Sequence, residues 1–379
     1  MNNRIRTKIF DIGNILIPVT LAFGVGAVFC LMIGYNPWTV FGVIIRGGFG
    51  SKAGWMQTLG FSCPIIMTSM ATALCFKGGV WNLGMEGQLY MGAYAAALVA
   101  GGYYGMSSIP AGLQIPIALA VSMGVGVLYA LIPGLLKAYL NTNVVVTTIM
   151  FNYVAIGLTE FMCKAFHQGD QSYDATFKIM PTATIPKLNE SYRVTYAIFA
   201  AVFIAIVITF VMKKTRFGYE LSAIGVQQEF AEATGMRVKR KIVQVFMVSG
   251  AVAGLAGATE VMGVNKNFTP NFSKDPGLGW EGYFVAVLTN NNPVACFFVA
   301  ILFGGFRYGS IVAQSNLGIS LDLLNIIKAC LILFYAVKYL NGSNGRIKKA
   351  VRSWPGRLRN KDSGTREGAK IEKGGDTVG

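Results

Sequence analysis

Long runs without a charged residue are the feature that most constrains how this chain can fold. Seven such runs interrupt the 379-residue sequence, and the longest holds 50 residues. A helix that crosses the hydrocarbon core of a bilayer, about 30 Å thick, needs about 20 apolar residues. The runs are Ile12–Ile45, Ala53–Phe76, Gly87–Leu136, Ala138–Thr159, Val194–Met212, Ile242–Thr259 and Gly282–Phe306. They predict an all-α polytopic membrane protein.

Turn signals divide these runs into ten predicted membrane helices. Gly101-Gly102 and the segment 107–110, which ends in a proline, place a turn near the middle of the longest run, so this run should hold two helices. The eighth helix is short for a span, and the first is too long for the apolar core of a signal peptide. The expected spans are 13–34, 57–76, 84–105, 113–136, 144–163, 193–212, 241–262, 277–290, 293–313 and 318–338.

Two other architectures do not fit the sequence. Charged residues make up 13% of the chain, whereas soluble proteins carry about 25%. Helices that are apolar on every face would leave a soluble fold without a surface for water. A closed membrane barrel would need strands in which apolar and polar residues alternate, and the run Phe199–Val211 does not alternate.

The position of the positive charge predicts the orientation in the membrane. Of the 33 Lys and Arg residues, three lie in the first eight residues, seven in 213–241 and ten in 341–379. With ten spans, these three segments share one side, which the positive-inside rule assigns to the cytoplasm. We therefore expect cytoplasmic termini, a membrane domain over 1–340, and a basic, disordered tail over 341–379 that contacts anionic lipid. Because this location explains the charge, no nucleic-acid partner is expected.

A short motif occurs twice in the chain. The segments Leu83–Gln88 and Leu278–Tyr283 share Leu, Gly, Glu and Gly at the same spacing. Five predicted helices separate the two copies, and an odd number of helices inverts the second copy in the membrane. This arrangement is typical of transporters that are built from inverted repeats with broken helices at their centre.

Polar side chains inside the predicted spans are candidates for a substrate pathway. A carboxylate at the bilayer centre costs roughly 2.5–3.5 kcal/mol on insertion scales, so both motif glutamates should face protein or water. They either cap their own helix starts or line the pathway. A polar stripe on the fifth helix, which includes Thr159, has the same two interpretations: helix–helix hydrogen bonds or pathway lining. The candidates are Asn82, Glu86, Gln88, Thr148, Asn152 and Glu281.

Charged and polar residues near the end of the chain need partners as well, and no catalytic chemistry is expected of them. These residues are Arg307, Asp322, Asn325 and Lys328.

Motifs for catalysis, cofactors and metals are missing from the sequence. It contains no G-x-x-x-x-G-K-[ST] phosphate loop and no G-x-S-x-G nucleophile turn. One histidine and six scattered cysteines give no metal-ligand pattern, so no metal and no cofactor are expected. Energy must then come from an ion gradient or from a separate ATPase. The basic segment 213–241 predicts a short helix over Tyr219–Thr234 that ends at Gly235, which is either a docking element or a solvated linker.

Four stretches in combination resemble a known family. They are Phe76–Gln88, Asn143–Asn152, Gly218–Gly235 and Gly279–Gly304. Together they resemble the permease subunits of bacterial ABC importers of the ribose/branched-chain amino acid class, and within it the nucleoside or simple-sugar branch. The resemblance implies a vitamin-B12-permease-like helical fold without an ATPase site of its own. Its implied partners are ABC ATPase subunits, a second permease subunit that is often a distinct paralogue, and an extracytoplasmic substrate-binding protein.

The resemblance also implies that 213–241 is the loop that couples the permease to the ATPase. Gln227 stands where the family usually has Asn, and Phe230 where it usually has Ala. The positions expected to make the coupling contact are Gly218, Glu220, Ala223, Gly225, Gln228, Ala231 and Gly235. The expected function is ATP-driven import of nucleosides across the bacterial cytoplasmic membrane. The first alternative is import of simple sugars. Ion-coupled transport comes next, and an intramembrane enzyme comes last.

Overall fold

Helices form nearly all the regular structure among the residues that the structure describes. The computed structural model describes residues 24–167, 169, 174–270, 272–273, 277–320 and 325–326. Residues 28–325 belong to one packed unit, and the remaining residues to another, of which only 24–27 and 326 are described. The predicted tail 341–379, the basic N-terminus, Asp322, Lys328 and most of the predicted span 318–338 lie outside the described residues.

The helices match most of the predicted spans in position. They are α1 (Gly24–Met32), α2 (Pro37–Phe49), α3 (Lys52–Lys77), α4 (Met85–Ala100), α5 (Ala111–Leu140), α6 (Val144–Phe166), α7 (Ala197–Lys214), α8 (Arg216–Val226), α9 (Gln228–Ala233), α10 (Val238–Glu260), α11 (Leu278–Leu288) and α12 (Pro293–Leu317). Among the described residues, six helices are long and apolar enough to span a membrane: α3, α5, α6, α7, α10 with its π-helical extension to Asn265, and α12. The bent pair α1 and α2 raises this number to seven if it is counted as one span.

Helix α2 was missed by the sequence prediction, which placed only one helix at 13–34. The chain turns by 116° between α1 and α2. At the turn, the side chain of Asn36 accepts a hydrogen bond from the backbone N–H of Trp38 at 3.0 Å. Pro37 occupies the first helical position, where its missing N–H costs nothing. The Asn-Pro pair was therefore the local signal for this helix start.

Apart from α1, α2, α8 and α9, two of the described helices are too short to span the bilayer alone. Helix α4 has 16 residues and α11 has 11, whereas a span needs about 20. Both contain one copy of the repeated motif at or near their N-terminal end. The prediction that the eighth helix is short is confirmed by α11.

The first half of the described bundle, which we define as α3–α6, and the second half, α10–α12, pack against each other reciprocally. The buried helix α3 of the first half packs against α11 and α12 of the second. Helix α10 of the second half packs against α4 and α5 of the first. Each half therefore places its first long helix against the second and third helices of the other half.

Small residues allow the closest of these crossings. Gly126 of α5 faces Gly250 and Gly254 of α10, and a Cβ on Gly126 would overlap the Gly250 carbonyl. Ser122 also donates a hydrogen bond to the Gly254 carbonyl at 2.6 Å. Without a hydrophobic driving force inside lipid, such close backbone packing and interhelical hydrogen bonds hold membrane helices together.

The segment between α7 and α10 marks one end of the helix bundle. Gly225 of α8 lies against the turn that follows α3, and Lys241 at the start of α10 pairs with α8. The end of α5 reaches the same place, where the Lys239 ammonium lies 5.8 Å from the centre of the Tyr139 ring. We call this the loop end. The other end, where Arg193 contacts the start of α3 and the end of α10, is the opposite end.

Replacing Gly126 with valine should destabilise the protein, because the new side chain overlaps the α10 backbone. Overpacking of this kind costs about 1–3 kcal/mol. The expected result is a lower midpoint of thermal unfolding for the purified protein in detergent. Gly124→Val on the same helix is the matched control, because a Cβ there meets nothing within 4 Å. Equal midpoints for the two variants would contradict this account of the crossing.

Candidate functional site

The start of α11 is held by a carboxylate from the other half of the chain. Glu86 lies in the first turn of α4 and is 4% exposed. Its two carboxylate oxygens accept hydrogen bonds from the Ser273 hydroxyl at 2.5 Å and from the Gly279 N–H at 2.7 Å. A negative charge at a helix N-terminus is favourable because the first amides of a helix lack intrahelical partners. Glu86 thus caps α11 and not its own helix, which differs from the first of the two interpretations above.

The start of α4 is held in a similar way by α6. The side-chain amide of Asn152 accepts a hydrogen bond from the Gly87 N–H at 2.8 Å and donates one to the Leu83 carbonyl at 2.9 Å. The Thr148 hydroxyl accepts from the Leu83 N–H at 3.1 Å. The predicted polar stripe on α6 is therefore used, at least at these two positions, for hydrogen bonds between helices.

Asn82 and Gln88 complete the surroundings of the α4 start. The Asn82 side chain accepts a hydrogen bond from the Gly84 N–H at 2.9 Å and donates one to the Ser249 hydroxyl of α10 at 3.2 Å. Gln88 is 1% exposed, and its amide oxygen accepts no hydrogen bond from the described part of the chain. The Gln88 amide oxygen is thus an acceptor beside the start of α4 that no described donor uses.

The second motif glutamate forms a buried ion pair. Glu281 is 1% exposed, and its carboxylate lies 2.9 Å from the Arg307 guanidinium of α12. Breaking such a pair by removing one partner leaves an uncompensated buried charge, which is strongly unfavourable. The expectation that Arg307 needs a partner is confirmed.

A further ion pair at the opposite end was missed by the sequence analysis. Arg193 pairs with the buried Glu260 at the end of α10, and its guanidinium lies 4.2 Å from the centre of the Phe61 ring. Both charged residues border a long uncharged run of the sequence, and this was the only local signal.

Beside this pair lies an open cavity of about 320 Å³. Its lining residues are Gln57, Phe61, Lys187, Ser191, Tyr192, Arg193, Val264, Tyr308 and Ile311. The lining therefore combines aromatic rings with amide, hydroxyl and cationic groups.

The six predicted pathway residues are brought to the starts of two short helices. Each of them is at most 4% exposed, and five of the six make the hydrogen bonds or the ion pair described above. These contacts favour a positioning role. Direct contact with a transported molecule stays a prediction.

The predicted coupling helix is in fact two helices. The sequence predicted one helix over Tyr219–Thr234, but α8 ends at Val226 and α9 begins at Gln228. Gln227 between them is extended, with φ −156° and ψ 106°. The predicted stop is confirmed, because Gly235 follows α9 with φ +83°, a left-handed conformation that favours glycine.

An ion pair joins α8 to α10. The Glu220 carboxylate lies 2.7 Å from the Lys241 ammonium and 2.8 Å from the Arg216 guanidinium. The hydrogen bond from Lys241 has the largest effect and holds the pKa of the Glu220 carboxyl below its ordinary value, and that from Arg216 acts in the same direction. Glu220 is thus engaged inside the loop itself.

The remaining predicted coupling positions differ in how far they are buried. Gly218 and Ala231 are buried, Ala223 is half-buried, and Gly225, Gln228 and Gly235 are exposed. Ile224 and Ala231 pack with Val80 and Val238 in a small apolar cluster at the loop end. By contrast, Val226 is 88% exposed and Phe230 62%. The loop is therefore packed onto the helices on one side and presents apolar side chains on the other.

Gly225 makes a close backbone contact between the loop and the bundle. A Cβ on Gly225 would overlap the Lys77 carbonyl and lie 3.0 Å from the Gly79 nitrogen. This turn leads directly into Asn82 and the Glu86 helix start. Helix α8 therefore lies against the segment that leads into α4.

Comparison with protein families matches residues 55–336 to the family described as branched-chain amino acid transport system / permease component. The chain is 32% identical to the guanosine ABC transporter permease protein NupP of Bacillus subtilis, over 88% of this chain and 96% of the relative. It is 30% identical to the nucleoside ABC transporter permease protein NupB of Lactococcus lactis, over 90% and 93%. The glucose ABC transporter permease protein TsgB13 of Haloferax volcanii is 29% identical over 85% and 86%. No solved structure matches significantly.

Replacing Glu86 with alanine should strongly destabilise the protein, because the O–H of Ser273 and the N–H of Gly279 then have no carboxylate to donate to. Each unpaired buried group costs about 1–3 kcal/mol. Glu86→Gln should cost less, since its amide oxygen still accepts from one donor, and it should lower transport only modestly. The midpoint of thermal unfolding and uptake into proteoliposomes measure the two effects.

Glu160→Ala serves as the control for the removal of Glu86. Glu160 is 44% exposed and pairs with Lys164 on the same helix, so its loss should change stability by less than about 0.5 kcal/mol. If Glu86→Ala melts like Glu160→Ala, the capping role of Glu86 is refuted. If Glu86→Gln is fully inserted but transports nothing, Glu86 does more than cap.

Proposed function

We propose that this chain, which belongs to the family of permease components of branched-chain amino acid transport systems, is the membrane subunit of an ATP-driven importer of nucleosides. The observation that carries the proposal is its similarity, over most of both chains, to the guanosine permease NupP and the nucleoside permease NupB. Its long apolar helices agree with a multi-pass protein of the cytoplasmic membrane.

The energy for import is assigned to partner subunits. The sequence has no phosphate-binding loop, and its similarity to ABC transporter permeases favours ABC ATPases as the separate energy source. Segment 213–241 is the proposed docking element, on the cytoplasmic side. The exposed Val226 and Phe230 at the junction of α8 and α9 supply apolar contact area for a groove on an ATPase.

A continuous set of contacts links this loop to the centre of the bundle. Gly225 lies on the turn after α3, that turn leads to the α4 start, and Glu86 of α4 caps α11. When the ATPases close, displacement of α8 would shift both short helices together. In alternating access, such a shift opens the central path first to one side of the membrane and then to the other.

The inverted repeat belongs to the same proposal. It is supported by the reciprocal packing of α3 and α10, and by the two motif copies near the starts of α4 and α11. In this arrangement residues 1–340 form a vitamin-B12-permease-like domain of about ten spans, the termini are cytoplasmic, and 341–379 is a basic tail. A second permease subunit, a distinct paralogue, and an extracytoplasmic binding protein complete the importer.

Sugar import is the second candidate, favoured by the similarity to a glucose permease. An ion-coupled transporter is a weaker candidate, and it predicts uptake by the purified chain alone under a sodium or proton gradient. The nucleoside proposal is preferred because two relatives, including NupP, are named for guanosine or nucleoside transport.

Reconstitution of the chain with its partners tests the substrate. We expect ATP-dependent uptake of radiolabelled nucleosides into proteoliposomes, and no uptake when the ATPases are left out. Ribose, glucose and galactose are tested in parallel at the same concentrations. Uptake of a sugar without uptake of any nucleoside would reject the proposed substrate, and gradient-driven uptake without ATPases would reject the proposed energy source.

Gly225→Trp should uncouple transport from ATP hydrolysis, because its side chain forces α8 away from the Lys77–Gly79 turn. We expect normal insertion and retained ATPase subunits, but loss of the substrate-stimulated part of the hydrolysis and of uptake. Gly157→Trp is the matched control, since a Cβ at Gly157 meets nothing within 4 Å. Substrate-stimulated hydrolysis in Gly225→Trp at the level of the control would show that the coupling assignment is wrong.

A further inference from the structure

An apolar groove runs along the outside of the bundle between α7 and the start of α12. It has a volume of about 510 Å³, within the roughly 300–1,000 Å³ of typical small-molecule sites. Its walls carry aliphatic and aromatic side chains, of which Ile206, Phe210 and Phe298 are each about 60% exposed. The groove thus has space for a flexible hydrocarbon chain.

One end of this groove is basic. Lys213 and Lys214, the last two residues of α7, are exposed and belong to its lining. They directly precede Thr215, whose hydroxyl accepts a hydrogen bond from the Gly218 N–H at the start of α8. The basic end of the groove therefore lies beside the loop end of the bundle.

The length of the groove fits one leaflet of a bilayer. Lining residues extend from Val202 to Lys214 along α7, which corresponds to about 18 Å at about 1.5 Å per residue. Half of the hydrocarbon core measures about 15 Å. An acyl chain in the groove would therefore place its headgroup at the two lysines.

We propose that this groove is a binding site for one anionic phospholipid of the leaflet at the loop end. One acyl chain lies between Phe210 of α7 and Phe297 of α12, and the headgroup phosphate is paired with Lys213 and Lys214. Charge complementarity favours this occupant over a second copy of the chain, since a second copy would bring the same two lysines and no compensating anion. The site is separate from the junction of α4 and α11, and it does not depend on which substrate is transported.

Lipid binding to the full-length purified protein tests the proposal. Native mass spectrometry from detergent measures the binding of phosphatidylglycerol and of phosphatidylcholine with identical acyl chains. We expect phosphatidylglycerol to bind more tightly to the unmodified protein. Each near-surface lysine contributes about a fivefold factor toward anionic lipid, so Lys213→Ala with Lys214→Ala should weaken phosphatidylglycerol binding by about 25-fold. Phosphatidylcholine binding should stay nearly unchanged.

A second variant tests the apolar part of the site. Val294 lines the groove and is 43% exposed, so Val294→Trp fills space without disturbing the core and should weaken binding of both lipids. Leu128→Trp is its control, because Leu128 is 65% exposed and is not part of the groove lining. Lys77→Ala with Lys137→Ala is the control for charge, since both lysines are at the ends of other helices.

Three results would overturn the site. The first is equal affinity of the unmodified protein for the two lipids. The second is an unchanged preference for phosphatidylglycerol after removal of Lys213 and Lys214. The third is a dimer that Val294→Trp dissociates while lipid binding persists, which would assign the groove to a second copy. Circular dichroism confirms that each variant is helical before it is compared.

Discussion

The need to satisfy backbone amides at broken helix ends inside a membrane is the constraint on which the centre of this protein depends. Helices α4 and α11 begin within the bundle, where their first N–H groups have no intrahelical partner. Asn152 and Thr148 supply acceptors for the α4 segment, and Glu86 supplies them for α11. Because these acceptors lie on helices other than those whose first amides they satisfy, the hydrogen bonds also join α6, α4 and α11 into one unit.

Two other buried carboxylates also have partners on other segments of the chain. The Glu281 carboxylate is paired with Arg307, and Glu260 with Arg193, so each carboxylate is compensated by a guanidinium. The loop meets the bundle closely at Gly225, because the missing side chain lets α8 lie directly on the turn that leads to the α4 start.

Much of the helical layout could be predicted from local sequence. The uncharged runs gave the positions of most long helices, the motif copy at 278–283 indicated a short helix, and Gly235 marked the end of the loop helices. The break at Gln227 was not predictable, because the sequence around it is helix-compatible, and only in the folded chain do Ile224 before it and Ala231 after it pack into one cluster. Helix α2 had a local signal in Asn36-Pro37, which the long uncharged run concealed.

The uncharged runs are enough to predict a polytopic helical membrane protein, and local patterns identify the two motif glutamates, the polar stripe and the basic loop as candidate functional residues. Hydrophobicity and turn chemistry are local properties, so they can be read from neighbouring residues. The packing of the helices determines that Glu86 caps α11 and not its own helix, that Asn152 holds α4, and that Arg193 neutralises Glu260. These partners are distant in sequence, and buried polar groups pair with whichever groups the packing of the helices brings within hydrogen-bond distance.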